Sequence, residues 1–248
     1  MTHHIDHAIG SRTTVGRIQH RDAWDMLASL MDASVDHAIL DPPFDAWTHA
    51  GARYGGAGKD GSLINFAPLG PGDVARLVGE LLRVSRRWVL CFCADLMMRD
   101  YADTAGEAWI RAGFWRKPDG APQFSGDRPA VAGEQIAIMH RSGRKRWNGG
   151  GKHAFWSVPV ERRDRMHPTQ KPLRLMLALV EDFTDPGELI LDPFAGSGTT
   201  ALACQRLGRR FVGCELDAET CARANARLEA EAHGQTLTSA LSGQETLW

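Results

Sequence analysis

The sequence has few cysteines, no long apolar run and almost no net charge, and each shortage excludes a class of protein. Its five cysteines form no Cys-x-x-Cys pair, which disfavours a zinc site and a disulfide framework and suits a reducing compartment. No segment approaches the roughly 20 apolar residues of a membrane-spanning helix. The formal charge of −1 at pH 7 does not by itself indicate a nucleic-acid binder. We therefore expect a cytoplasmic protein without a bound metal.

The chain divides into a patterned body and two polar ends. Residues 1–14 lack the apolar segment of a secretory signal, and we expect a flexible leader there. Residues 15–232 carry the apolar patterns, and 43% hydrophobic residues are ordinary for one large domain. Residues 233–248 form a polar tail. The sequence thus predicts a single domain with loose ends.

Short apolar strands alternate with helical patterns along this body. The apolar patterns predict strands at 17–20, 35–40, 88–93, 135–140, 188–191 and 211–214. Helical spacing predicts one helix carrying Trp24 to Met31 and others at 73–84, 173–180, 199–207 and 218–232. Such alternation predicts an α/β three-layer sandwich, with a mostly parallel sheet and helices on both faces.

Two regions stand apart from this pattern. Residues 45–67 hold five glycines between Gly51 and Gly61, and we expect a mobile loop that serves the substrate. Residues 116–165 form a basic insert or recognition region, because 141–165 contains eight basic and two acidic residues, a local charge of +6. Its interleaved aromatics favour a phosphate-facing surface over an ordinary solvated one. The predicted DNA-binding residues are Arg141, Arg144, Lys145, Arg146, Lys152, Arg162, Arg163 and Arg165.

The stretch LILDPFAGSGTT, residues 189–200, predicts a nucleoside-cofactor site. A buried strand runs into a turn where Gly196 and Gly198 let a ligand approach the backbone. Glu215 ends the next strand, 19 residues after Gly196, where a carboxylate can accept hydrogen bonds from both hydroxyls of a ribose. The segment also fits the dinucleotide pattern GxGxxG/A, so an NAD(P)-dependent dehydrogenase stays open here.

The tetrapeptide DPPF, residues 41–44, ends another predicted strand. Pro42 and Pro43 have fixed φ and no N–H, which leaves rigid carbonyl acceptors beside the Asp41 carboxylate. Such a cup fits the two N–H donors of an exocyclic amine, while Phe44 can stack on the attached base. A base inside a duplex would have to be flipped out to reach it. A rigid turn with a solvated aspartate is the alternative.

Together, DPPF, HPTQKP at 167–172 and FAGSG at 194–198 resemble the motifs of the beta group of amino-methylating DNA methyltransferases. These enzymes transfer a methyl group from S-adenosylmethionine (SAM) to adenine N6 or cytosine N4. The resemblance runs from about Arg17 to Asn225, apart from 45–67 and most of 116–165. It implies a Rossmann-like fold, circularly ordered so that the catalytic motif precedes the cofactor motif, with DNA as partner.

The resemblance also assigns site residues. It implies a cofactor turn, a ribose ligand, a residue near the adenine of the cofactor and two near its methionine carboxylate. Asp192, Phe194, Gly196 and Gly198 would form the cofactor turn, and Glu215 would bind the ribose. Asp22 would lie near the adenine, and Thr169 and Lys171 near the methionine carboxylate. The implied catalytic residues are Asp41, Pro42, Pro43 and Phe44.

Two positions bear on the target base. Phe44 stands where the family more often has Tyr, so stacking is kept and a hydroxyl is lost. In the family that the sequence resembles, Asp at the position of Asp41 leans towards adenine, whereas Ser leans towards cytosine N4. The sequence therefore predicts an adenine-N6 DNA methyltransferase, with a cytosine-N4 enzyme as the first alternative. A catalytically silent SAM- or DNA-binding module is a further alternative.

No large separable recognition domain is present, so 45–67 and 116–165 are left to contact DNA. Basic side chains there would supply affinity for phosphate, whereas base identity needs other contacts. The sequence leaves open a homodimer and a cognate restriction nuclease as partners.

Overall fold

The computed structural model describes residues 16–44, 69–162 and 169–234. The strands are β1 (Gln19–His20), β2 (His37–Leu40), β3 (Trp88–Cys93), β4 (Trp109–Arg116), β5 (Gly133–His140), β6 (Phe155–Ser157), β7 (Leu189–Asp192) and β8 (Arg210–Glu215). The helices are α1 (Ala23–Ser29), α2 (Pro71–Val84), α3 (Met98–Ala105), α4 (Leu173–Phe183), α5 (Thr199–Arg206) and α6 (Ala218–Ala232). The predicted leader, the loop 45–67 and most of the polar tail lie outside these ranges.

All eight strands form one sheet in the order β1-β8-β7-β2-β3-β5-β4-β6. Neighbours from β1 to β3 are parallel, whereas β5 is antiparallel to both β3 and β4. We call the edge of the sheet where the parallel strands end the carboxyl edge, and the edge where they begin the amino edge. Because β5 runs the other way, it begins at the carboxyl edge.

Each face of the sheet is covered by three helices. In β3, Leu90 and Phe92 point into one core and Val89, Cys91 and Cys93 into the other, as the alternation of a strand requires. Helices α4, α5 and α6 supply the first core, and α1, α2 and α3 supply the second. This arrangement confirms the predicted three-layer sandwich. Within the described ranges, no helix is both long and apolar enough to cross a membrane.

The structure differs from the predicted secondary structure in the middle of the chain. Helix α3 and strand β4 were not predicted, and β5 and β6 fall within the predicted basic insert. Strands β5 and β6 belong to the central sheet, and the role of 116–165 as a recognition region stays a prediction. Strand β4 has no clean alternation because its residues Arg111 and Ala112 are exposed next to a register shift.

Candidate active site

Strands β2 and β7 lie side by side in the middle of the sheet and end at the carboxyl edge. Asp41 follows β2, and the turn containing Gly196 and Gly198 follows β7. Ligands of open α/β sheets bind outside the carboxyl ends of the strands, where crossovers leave in opposite directions. The topology thus brings the DPPF motif and the glycine turn, about 150 residues apart in sequence, to one place.

Asp41 has one engaged and one free carboxylate oxygen. Its Oδ2 accepts a hydrogen bond of 2.5 Å from Nζ of Lys171. Its Oδ1 is buried and has no hydrogen-bond partner among the described residues. Burial raises the pKa of Asp41, Lys171 opposes that effect, and the neighbouring Glu134 adds to it. A buried acceptor without a partner is costly in a folded protein, which marks it as a candidate for a ligand.

Lys171 is 7% exposed and lies between two carboxylates. Its Nζ is 2.5 Å from Asp41 and 3.0 Å from Oε2 of Glu134. The same nitrogen lies 4.9 Å from the ring centroid of Phe92 and 5.5 Å from that of Phe44. Although burial opposes the charged form, the two carboxylates raise the pKa of Lys171 and keep it a cation.

The glycine turn has the backbone that its sequence predicts. Gly196 and Gly198 adopt φ values of 49° and 74°, in the left-handed region. A Cβ on Gly198 would lie 3.0 Å from Cδ1 of Ile18 and 3.3 Å from Cβ of Ala224, whereas one on Gly196 would meet nothing closer than 4.0 Å. Gly198 therefore allows α5 to begin against the core, and Gly196 leaves the space above the turn open.

Glu215, the last residue of β8, is hydrogen-bonded to this turn. Oε2 of Glu215 accepts from the N–H of Gly196 at 2.9 Å, and Oε1 accepts from that of Asp217 at 2.9 Å. Each oxygen keeps a second lone pair, so the carboxylate is oriented and can still accept two hydroxyl groups. Asp22 caps α1 by accepting from the N–H of Trp24, and it follows β1 at the same edge.

Asp192 supports the turn from below. Its Oδ1 accepts from the N–H of Phe194 at 3.0 Å, and its Oδ2 accepts from Oγ1 of Thr200 at 2.7 Å. Burial raises its pKa to about 7, and the nearby Asp41 contributes to the rise. Asp192, whose two oxygens both accept hydrogen bonds, thus lies close to Asp41, which has one oxygen without a partner among the described residues. The open turn, the oriented Glu215 and the free oxygen of Asp41 fit a nucleoside cofactor next to a base.

Comparison with known proteins decides the family. Residues 99–226 match the family model described as DNA methylase, of the N6/N4 type, which is about half of the chain. The chain belongs to this family. It is a SAM-dependent DNA amino-methyltransferase, as the sequence motifs imply, and the dehydrogenase alternative is excluded.

Similar proteins support the same placement. The Type II methyltransferase M2.DpnII of Streptococcus pneumoniae is 27% identical over 86% of this chain and 89% of its own. The crystal structure of an M1.HpyAVI–SAM complex is 27% identical, covers 85% of this chain and 98% of its own, and gives a TM-score of 0.63. A PvuII DNA methyltransferase, cytosine-N4-specific, shares the fold at 13% identity, with a TM-score of 0.67 and coverages of 93% and 95%.

The methyltransferase contains a site residue that the sequence did not predict. Glu134 is the second residue of β5, and it reaches the carboxyl edge only because β5 is antiparallel. Lys171, implied to lie near the methionine carboxylate, contacts Asp41 and Glu134 in the structure. Its implied contact with the cofactor stays a prediction, as does that of Thr169. His167 and Pro168 of the HPTQKP motif lie outside the described residues.

The predicted DNA-binding residues divide between the two edges. Arg141 to Arg146 follow β5 at the amino edge, and Lys152 precedes β6 at that edge. Several pair with the protein itself: Arg141 donates to the carbonyl of Arg83, Arg146 pairs with Asp185 at 2.7 Å and Lys152 with Asp182 at 2.7 Å. Arg162 follows β6 at the carboxyl edge, whereas Arg163 and Arg165 lie outside the described residues. The six described residues thus lie at two edges, and the role of all eight in binding DNA stays a prediction.

Proposed function

We propose that this methyltransferase methylates N6 of adenine in DNA, with Asp41 and the carbonyl groups of Pro42 and Pro43 accepting the hydrogens of the amine. The observation that carries the proposal is the free, buried Oδ1 of Asp41 at the carboxyl edge. Oδ2 is already held by Lys171, so the incoming N–H has one oxygen to bind. Phe44, which is partly buried, would stack on the base.

Two acceptors at fixed positions would activate the amine. The lone pair of an exocyclic amine is delocalised into its ring, and accepting both hydrogens favours a pyramidal nitrogen whose lone pair is free to attack. SAM, when bound, supplies an electrophilic methyl group. Asp41 would orient the nitrogen and stabilise the positive charge that develops on it, which is electrostatic catalysis by a preorganised acceptor. As the N–C bond forms and the S–C bond breaks, S-adenosylhomocysteine would be the leaving group, and the methylated nitrogen would release one proton to solvent.

We infer that the cofactor lies along the ends of β7 and β8. Glu215 would accept the two ribose hydroxyls, and the open space above Gly196 would admit the methionine part close to the backbone. Asp192, Phe194 and Gly198 would shape the turn, Asp22 would lie near the adenine of the cofactor, and Thr169 and Lys171 would complete the methionine end.

The target base must leave the duplex to reach Oδ1 of Asp41, because that atom is buried. DNA would lie across the carboxyl edge, where the exposed Arg162 can meet a phosphate. Asp41 at the first catalytic position favours adenine. The cup accepts either amine, so cytosine N4 is the alternative product.

The partners beyond DNA are also part of this proposal. The relatives named Type II methyltransferases favour a restriction-modification role with a cognate nuclease in the cytoplasm. A homodimer is a further predicted assembly, and the molecular mass of the enzyme in solution tests it.

Mass spectrometry of nucleosides tests the proposed reaction. Purified enzyme is incubated with SAM and unmethylated DNA, and the DNA is digested to nucleosides. N6-methyladenine is the expected product. N4-methylcytosine would overturn the choice of base, and the absence of both would overturn the activity. An RNA substrate and a reaction without SAM serve as controls.

A further inference from the structure

Four charged side chains form a line that leads away from Asp41. They alternate in sign: Asp41, Lys171, Glu134 and Lys117. The line continues from Lys171 to Glu134 at 3.0 Å, and Oε1 of Glu134 accepts from Nζ of Lys117 at 2.6 Å. Lys117 in turn lies 4.6 Å from the ring centroid of Trp115. Neither Glu134 nor Lys117 belongs to a motif of the sequence.

Burying so many charges is expensive unless each has a task. Lys171 is almost inaccessible, and Glu134 is 18% exposed. A lysine that only balanced Asp41 would need one carboxylate, and this lysine has two. The second carboxylate limits where Nζ can lie, and so limits which oxygen of Asp41 it can bind.

We propose that Glu134 is a positioning residue for the reaction: it holds Lys171 on Oδ2 of Asp41, so that Oδ1 is presented to the amine of the target base. The inference rests on the proposed role of Asp41. It adds a function for a strand outside both the DPPF and the FAGSG motif.

The antiparallel pairing of β4 and β5 fixes the backbone of Glu134. Glu134 pairs with Trp115 across the two strands, and the N–H of Lys117 donates to the carbonyl of Ala132 at 2.7 Å. The neighbouring Gly133 has no space for a side chain, because a Cβ there would lie 1.9 Å from the carbonyl oxygen of Trp115. The carboxylate therefore sits on a tightly paired part of the sheet and can fix Lys171 with little freedom.

The two neighbours act on Asp41 with opposite sign. Lys171 and, at longer range, Lys117 favour the ionised form of Asp41, whereas Glu134 disfavours it. Asp192 and the buried Tyr101 also interact electrostatically with Asp41. Neutralising Lys171 should raise the pKa of Asp41, and neutralising Glu134 should lower it.

The pH dependence of kcat tests this pair of opposite effects. Lys171→Met should move the acidic limb upward by about one pH unit or more. Glu134→Gln, which keeps the shape and an acceptor oxygen, should move it downward and lower kcat on the order of 10²-fold at its optimum through loss of positioning. In Glu134→Gln, KM for SAM should stay within a factor of about two. Glu134→Asp, which restores the charge, should return the limb towards its original place.

Controls separate this inference from its basis. Glu231→Gln removes one charge from the exposed pair of Arg206 and Glu231 and should leave the profile unchanged. A ¹³C NMR titration of labelled aspartate measures the pKa of Asp41 without turnover and should show the same two shifts. The role of Glu134 would be overturned if the variants fold and bind SAM, but neither the acidic limb of the kcat profile nor the titration of the Asp41 resonance shifts. A wild-type enzyme without methylation would instead overturn the proposed function.

Discussion

Both edges of the sheet carry partly buried carboxylates, but the carboxylates differ in how many of their oxygens accept hydrogen bonds. At the amino edge, Asp182 uses both oxygens, accepting from Lys152 at 2.7 Å and from Nε1 of Trp156 at 3.1 Å. Glu188 there accepts from His37 at 2.8 Å and also binds Arg87. At the carboxyl edge, Asp41 uses one oxygen and leaves the other buried and free.

This difference separates stability from function. A saturated carboxylate fixes neighbouring segments to each other, and its removal costs folding free energy. An unsaturated one lowers stability, and it persists where a ligand completes it. The saturated carboxylates of the amino edge therefore hold the fold together, and the half-free carboxylate of Asp41 at the carboxyl edge is available for chemistry. The predictions below test that division.

The largest effect is expected when an aspartate is removed from each edge in turn. Asp41→Ala should lower kcat by about 10³-fold or more, because the acceptor for the amine is lost, with SAM affinity nearly intact. Asp185→Ala, which breaks an ion pair with Arg146 at the amino edge, should keep the wild-type kcat. Radioactive methyl transfer and calorimetry with SAM measure both quantities. Equal losses in the two variants would contradict the division.

Two glycines offer a matched pair for the cofactor turn. Gly198 and Gly187 have φ values of 74° and 84°, so alanine is strained at both. Each substitution should cost roughly 1 kcal/mol of stability from the backbone alone. Gly198→Ala adds the close contacts with Ile18 and Ala224, whereas Gly187, just before β7, has open space.

Gly198→Ala should therefore weaken SAM binding by roughly 10- to 100-fold, because the turn must shift to relieve the contacts. Gly187→Ala should leave SAM affinity unchanged. Urea unfolding and calorimetry give the two readouts for both variants. A loss of SAM affinity in Gly187→Ala would show that strain alone, and not the turn, controls the site.

The sequence predicted the parts of the site that follow parallel strands. Asp41 and Asp192 each come directly after an apolar run, so the edge at which DPPF and the glycine turn lie could be inferred without coordinates. The strands themselves were predicted to within one or two residues at β3, β7 and β8. β3 is buried along its whole length, β7 along most of its length and β8 in part, and their apolar runs are a strong local signal.

Glu134 could not be found in this way. Its place depends on the direction of β5, which is a property of the whole sheet and leaves no mark on a local pattern. The division of the charge cluster at 141–165 between the two edges could not be predicted for the same reason, because sequence shows how many cations there are and not where they lie. Its role in binding DNA stays a prediction. Its cations at the amino edge are largely paired with acidic side chains and carbonyl groups there.

A smaller effect is expected on folding stability when the pH is lowered, through a histidine at the amino edge. His140 is 2% exposed, and neither ring nitrogen has a partner among the described residues. Burial, with Lys145, His37 and Arg87 nearby, lowers its pKa from 6.5 to about 4. The folded state then resists a proton that the unfolded state takes up. Stability is complete above pH 6.5 and falls as the pH drops towards 4, by at most about 3 kcal/mol.

His140→Leu removes this titration and leaves no unsatisfied nitrogen. Its free energy of unfolding should fall less between pH 7 and pH 5 than that of the wild type, by roughly 1–2 kcal/mol. His233→Leu, at the exposed end of α6, should retain the wild-type dependence. Identical pH dependence in wild type and His140→Leu would show that the imidazole is not held neutral.

The smallest effect concerns DNA binding by single arginines at the two edges. Arg162 is 67% exposed at the carboxyl edge, where it pairs with Asp119 at 3.2 Å. Arg144 is exposed at the amino edge. If DNA lies across the carboxyl edge, Arg162→Ala removes one phosphate contact. The slope of log K against log salt should then decrease by about 0.9, with an affinity loss of up to about tenfold. Arg144→Ala should change neither quantity in a fluorescence-anisotropy titration. The reverse result would place the duplex at the amino edge, and the division between the edges would fail for DNA while still holding for catalysis.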